Sequence, residues 1–203
     1  MGRIVAAILA VAAASACTET TANQALTATL PQSAGPVFVM EPIWRSSESG
    51  NSSRDFRGIN TEVVSRILTI VRERFPTAEA AASGPPGAVR AMPGYPLTVG
   101  DDGAVSTEEL NASSWARERG AAYLLVPTIR EWREMRTDDP IGTFILPHNR
   151  IALTLRLMRL QPPGLAGRAE FTNRARLTLN QPADRLLDDR FREVVLRLMS
   201  GAA

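Results

Sequence analysis

The chain has 203 residues, 44% of them hydrophobic, a formal net charge of +2 and a single cysteine. That length and apolar content fit one ordinary folded domain plus a leader and exclude wholesale disorder. The near balance of 23 basic residues, all arginine, against 21 acidic ones argues against a nucleic-acid binder, and one cysteine excludes an internal disulfide or a multi-cysteine metal site.

Arg3 gives a short positive start, and residues 4–16 form an apolar stretch that ends in the small residues Ala14-Ser15-Ala16. A membrane-spanning helix needs about 20 apolar residues, so this stretch is too short for one and has the length of a signal-peptide core. Residues 1–16 therefore read as a lipoprotein signal peptide. Ala-Ser-Ala-Cys17 resembles the bacterial lipobox, with Ala14 where the pattern usually has leucine. The resemblance implies that the Cys17 thiol takes a diacylglyceryl group, with palmitate-type chains, and that the leader is cut just before it. The other reading is ordinary cleavage after Ala16, leaving a free thiol. Thr18 follows the cysteine where an aspartate resembles an inner-membrane retention signal, which points to the outer membrane, facing the periplasm.

Residues 17–35 are rich in Thr, Ala, Gln and Ser without apolar periodicity. They read as a lipidated flexible tether with a reach of about 25 Å. A single domain follows over 36–203. Residues 36–43 predict a first strand. Asn60 or Thr61 caps a helix running to Arg74, with Val63, Val64, Ile67, Leu68 and Val71 on one face. Residues 78–82 predict a weak strand.

Residues 84–105 hold Gly-Pro-Pro-Gly, Pro-Gly-Tyr-Pro and Asp-Asp-Gly and read as a mobile surface insertion with no role of its own. Ser106-Thr-Glu-Glu109 is a capping box in which Glu109 reaches back to the cap, and Gly120 ends the helix in the left-handed conformation. Residues 121–132 predict a buried strand with Pro127 at a bulge or an unpaired position. Next, Ile151, Leu153, Leu155 and Leu157 alternate with Arg150, Thr154 and Arg156. Phe171, Ala175, Leu177 and Leu179 alternate with Arg168, Glu170, Thr172, Arg174, Arg176 and Thr178. Residues 161–167 supply turn chemistry, so the two runs form an antiparallel hairpin. Pro182 and Asp184 open a last helix with Leu186, Leu187, Phe191, Val194, Val195 and Leu198 buried. The order β-α-β-α-β-β-β-α predicts an α/β fold: one mixed sheet of about five strands with three helices packed on it and a C-terminal antiparallel meander.

The segment Gly120-Ala-Ala-Tyr-Leu-Leu-Val-Pro-Thr-Ile-Arg-Glu-Trp132 resembles the central segment of a family of uncharacterised proteobacterial lipoproteins. The likeness extends over the leader, the hairpin and the closing helix. The glycine- and proline-rich insertion departs from that family. The element order is also similar to the N-terminal domain of the Tol translocation protein and to penicillin-binding-protein activator lipoproteins, whose domains bind other proteins. The resemblance implies an interaction role here.

Catalytic signals are weak. His148 is the only histidine and reads as a loop surface residue, although Glu134, Asp138 and Asp139 lie upstream. There is no Gly-x-Ser-x-Gly elbow, and Gly-Pro-Pro-Gly lacks the Lys-Ser/Thr of a phosphate loop. No cofactor and no catalysis are expected. Strand alternation places Arg150, Arg156, Arg168, Arg174 and Arg176 on one face of the hairpin, where guanidinium forks suit the phosphates or carboxylates of an anionic envelope partner. The alternative is a solvated face, or one covered by a helix with arginine stems passing beside it. The expectation is an outer-membrane lipoprotein that binds another envelope protein or anionic component. The rival readings are an envelope-acting hydrolase and a structural subunit that oligomerises.

Overall fold

The computed structural model describes residues 18–26, 35–45, 56–81, 92–99, 104–133, 149–175 and 183–200. The chain order is β1 (Thr18–Leu26), β2 (Val37–Met40), β3 (Ile43–Trp44), α1 (Phe56–Arg72), β4 (Glu79–Ala81), α2 (Thr107–Glu118), β5 (Tyr123–Arg133), β6 (Arg150–Leu160), β7 (Pro163–Ala175), a 3-10 turn (Ala183–Leu186) and α3 (Asp189–Ser200). One mixed sheet runs β1-β7-β6-β5-β2-β4, with β3 pairing β5. The β4, β2 and β5 pairings are parallel, and β5, β6, β7 and β1 pair antiparallel.

Strand alternation divides the sheet into two faces, and both are covered. On one face Val37, Val39, Leu125, Ile129, Trp132, Ile151, Leu153, Leu155 and Phe171 pack against α1 and α3. The α1 stripe buries Val63, Ile67, Leu68 and Val71 as the spacing predicts, leaves Val64 half-buried, and adds Ile59 and Ile70. Every member of the predicted closing stripe, Leu186 to Leu198, is buried. Burying a Leu, Val or Phe side chain is worth ~1.5–3 kcal/mol, so this layer dominates the stability of the fold. Phe171 and Phe191 meet edge to face with centroids 5.0 Å apart, which fixes α3 on β7. Asn173, fully buried among these side chains, donates to the Leu186 carbonyl at 2.8 Å.

The opposite face carries Phe38, Met40, Leu124, Val126, Met158 and Leu160 under α2. Met92, Tyr95 and Val99 from the glycine- and proline-rich stretch pack into the same layer. The expectation of an insertion without a role therefore fails for residues 92–99. Three of those side chains are at most 5% exposed, and turn chemistry in the stretch serves to lay them on the sheet.

The flexible tether over 17–35 also needs correction. Thr18–Leu26 pairs antiparallel with β7 over its whole length, from Thr18 opposite Ala175 to Leu26 opposite Gly167. The physical reason is the open edge of β7, whose N–H and C=O groups a threonine-rich segment satisfies. The first strand is split at Glu41-Pro42 into β2 and β3. Pro127 lies opposite that split, because Leu125 is the last residue of β5 to pair β2 and Thr128 the first to pair β3. Its missing N–H therefore removes no bond on that side.

Helix boundaries shift for local reasons. α1 begins at Phe56, and Asn60, expected as a cap, instead accepts a hydrogen bond from Trp44 Nε1 at 2.8 Å. α3 begins at Asp189, because Asp188 Oδ1 accepts from the backbone N–H groups of Arg190 and Phe191 at 3.0 and 3.1 Å. Pro182 lies outside the described residues, and Asp184 falls in the 3-10 turn. The hairpin turn is Gln161-Pro162 alone, so β7 starts five residues earlier than alternation suggests, at Pro163.

Candidate interaction surface

Of the arginines expected on one hairpin face, Arg150, Arg156, Arg168 and Arg174 share it in the strand register. Arg156 stands opposite Arg168, and Arg150 opposite Arg174, in the β6–β7 register. They nevertheless fall into two sets in different environments, about 20 Å apart along the strands at six residues' separation. Cys17 and Arg176 lie outside the described residues, as do His148, Glu134, Asp138 and Asp139.

The inner set is not a surface. Arg156 is 0% exposed and its Nη2 lies 2.6 Å from Glu109 Oε2, which is also 0% exposed. The hydroxyl of Tyr95 donates to Glu109 Oε1 at 2.9 Å. The capping box is therefore only half made. Ser106 Oγ accepts from the Glu109 N–H at 3.2 Å, but the Glu109 carboxylate points to Arg156 and Tyr95 instead of back to the cap. Burial, with the carboxylate charge of Glu109 beside it, drives the Tyr95 pKa far up from its ordinary value, so the phenol stays protonated as donor. Arg168, less enclosed than Arg156, pairs with Glu170 at 2.7 Å. Arginine alternation is thus a faithful guide to which face these residues share and a poor guide to exposure, because α2 and residues 92–99 cover part of the polar-looking face.

The outer set lies at the end of the sheet where β5 stops, β6 starts and β7 stops. Arg133 stands opposite Arg150, and Arg150 opposite Arg174, so three arginines cross three strands in one row. Glu131 lies among them, 3.1 Å from Arg150 and 4.0 Å from Arg133. The Arg150 and Arg133 side chains keep 40% and 42% exposure. Glu19 holds the register position opposite Arg174, and Thr18 that opposite Ala175, at the start of β1. Arg133 lies one residue past the strand expected over 121–132, and the bulge between Ile129 and Glu131 sets it on the face of Arg150.

A second feature was not foreseen. An open cleft of about 340 Å³ lies between α1 and β4, lined by Val39, Asn60, Val64, Leu68, Arg72 and Ala81 among others. β4 ends the sheet among the described residues, so the cleft adjoins a short parallel edge. Arg72 closes one side, its Nε donating to the Ala78 carbonyl at 2.9 Å. The sequence signal for it was the hydroxyl row Thr61, Ser65 and Thr69, spaced at one helical turn on the exposed side of α1. Trp115, half-buried on α2, packs edge to face on Phe38 with centroids 5.2 Å apart and under the Arg119 guanidinium at 3.8 Å. Trp132 is core.

Among the described residues no three His, Cys, Asp or Glu side chains gather where a metal could be held. No described helix is long and apolar enough to cross a membrane.

No protein-family model matches the chain, and no curated protein matches it in sequence. Solved PelC structures share its fold, and other solved structures resemble it less. The PelC dodecamer from Paraburkholderia phytofirmans superposes with a TM-score of 0.54 at 14% identity, over 90% of this chain and 96% of that one. Lipoprotein GNA1162 from Neisseria meningitidis gives 0.42 at 12% identity, over 80% and 98%. The LpoB C-terminal domain from Salmonella enterica gives 0.29 at 13% identity, over 68% and 82%. The PelC superposition extends the α/β fold to nearly the whole of both chains.

Proposed function

We propose that the protein is a cell-envelope lipoprotein, acylated at Cys17 and held on the periplasmic face of the outer membrane, whose α/β domain binds another envelope component without catalysis. The observation that carries the anchor is the apolar stretch 4–16 closing on Ala14-Ser15-Ala16-Cys17, with Thr18 behind it. Two or three acyl chains bury enough CH₂ groups, at ~0.8 kcal/mol each, to hold a protein on a bilayer stably.

Binding is supported by where the domain leaves its backbone and clefts accessible. The ion pair of Glu109 and Arg156, with the Tyr95 hydroxyl, is sealed in the core, where its geometry explains packing and offers a substrate no approach. The cleft between α1 and the short edge strand β4 is open, and an extended peptide that adds to a sheet edge finds backbone hydrogen bonds on one side and side-chain pockets on the other. An envelope protein offering such a segment is the partner this surface suits. In-cell crosslinking through a photoreactive residue at Thr69, read by mass spectrometry, tests it. One envelope protein enriched over an unrelated lipoprotein control supports the reading, and no enrichment defeats it.

One observation favours a second reading, an assembling subunit. The solved PelC structure of this fold is a dodecamer. A sheet with two unlike edges, β1 and β4, has the head-to-tail surfaces that closed rings require. Sedimentation of the purified protein at rising concentration separates the two: a monomer at all concentrations supports the binder, and a discrete large species supports the subunit.

A further inference from the structure

The residue proposed to carry the lipid is joined by one peptide bond to the first residue of β1. Consecutive Cα atoms lie about 3.8 Å apart, so no tether separates the acyl group from the sheet. Thr18 is fixed opposite Ala175, at the end of β7. That end also holds the start of β6 at Arg150 and the end of β5 at Arg133. The turn at Gln161-Pro162 lies at the far end of the eleven-residue strand β6, about 35 Å away at ~3.3 Å per residue. A chain anchored at residue 17 therefore keeps this end of the sheet at the membrane at every tilt, with no slack to lift it away.

Charge selects among the tilts that remain. The row Arg133, Arg150 and Arg174 crosses the anchored end on one face, with Glu131 between two of its members and Glu19 at the register position opposite the third. Among the described residues this row sets three arginines against Glu131 and Glu19, and the Arg133 and Arg150 side chains are each two-fifths exposed. Guanidinium groups suit phosphate through paired N–H donors, and basic residues gain from the negative potential of an anionic leaflet within a Debye length of it. We propose that this end of the sheet lies on the bilayer surface, with Arg133, Arg150 and Arg174 at the level of anionic phospholipid phosphates and the Gln161 turn pointing away. The inference rests on acylation of Cys17. It places the cleft beside β4 on the flank of an upright domain, where a partner reaches it from the side.

The test uses the acylated full-length mature protein in vesicles of phosphatidylglycerol with phosphatidylcholine, and in phosphatidylcholine alone. Acylation blocks Cys17, so Ala152→Cys near the row and Gln161→Cys at the turn each supply the only free thiol for a nitroxide label. In phosphatidylglycerol vesicles the label at 152 is shielded severalfold from a water-soluble paramagnetic quencher, and the label at 161 is fully accessible. Arg133→Gln combined with Arg150→Gln keeps the protein on the vesicles in flotation and reduces the shielding at 152, as does removal of phosphatidylglycerol. Equal accessibility at 152 and 161, or shielding at 161, overturns the orientation. Shielding that is indifferent to both the arginines and the lipid overturns the phosphate contact. Failure of the protein to float, with Cys17 reactive to thiol reagents, overturns the acylation reading itself and this inference with it.

Discussion

Glu109 on α2 and Arg156 on β6 meet 2.6 Å apart, and neither side chain reaches solvent. The pair ties the helix to the central hairpin and draws the hydroxyl of Tyr95 into the same contact.

Removing one partner leaves a buried charge without its counterion. Glu109→Ala or Arg156→Ala alone is expected to destabilise the domain by about 3–5 kcal/mol. Replacing both by apolar residues of similar size, Glu109→Leu with Arg156→Met, should cost much less than the sum, because two charges then leave the core together. Urea denaturation of the parent, Glu109→Leu, Arg156→Met and the double variant gives the cycle, and additive losses would show that the pair is not coupled.

Tyr95 makes stability depend on alkaline pH. Its phenol is held protonated in the fold while the unfolded phenol ionises near pH 10, so the folded state binds more protons above that value. Stability is therefore unaffected below about pH 10 and falls as pH rises beyond it. Tyr95→Phe should cost about 1.5–3 kcal/mol at neutral pH, the range for a bond to a charged acceptor, and should flatten the alkaline slope. Denaturation midpoints between pH 8 and 11.5 decide it, and a slope unchanged in the variant would exclude Tyr95 as its source.

Gly120 ends α2 with φ at +76°, and a Cβ there meets nothing within 4 Å. Gly120→Ala therefore isolates the backbone term, an expected loss of about 1–2 kcal/mol with no packing component. A change below ~0.3 kcal/mol in thermal unfolding would show that the helix end relaxes instead.

Arg192 on α3 holds Glu73, just after α1, through both carboxylate oxygens, with Nε at 3.0 Å from Oε1. The hydrogen bond from Arg192 lowers the Glu73 pKa, so whatever the pair adds is present above the ordinary carboxylate range and is lost as pH falls below it. Both groups face solvent, so Arg192→Gln should barely move the midpoint at pH 7, and molar salt should erase the difference. A salt-independent loss would mean that the arginine stem, not its charge, matters.

Periodicity made the two strongest helical stripes and the hairpin legible. Val63 to Val71, Leu186 to Leu198 and Ile151 to Leu157 are buried because one face of each element meets the same core. Alternation failed at Thr154 and Arg156, which it places outward and which are fully buried. It reports faces, and it cannot tell that a distant stretch containing Tyr95 will cover the second one. β1 was missed because Thr18–Leu26 has little apolar pattern of its own and is a strand by virtue of the edge it pairs with. The cleft at β4 depends on how α1 sits over three residues whose alanines suit a helix equally well.

The anchor is the claim on which localisation, orientation and partner all depend. Intact-mass analysis of the protein from its native host tests it most directly. Acylation predicts a chain lacking residues 1–16 and carrying a diacylglyceryl group and an amide-linked acyl chain at Cys17, with Cys17→Ser retained as the uncleaved precursor. A mature chain whose Cys17 thiol is unmodified and alkylates freely would contradict it.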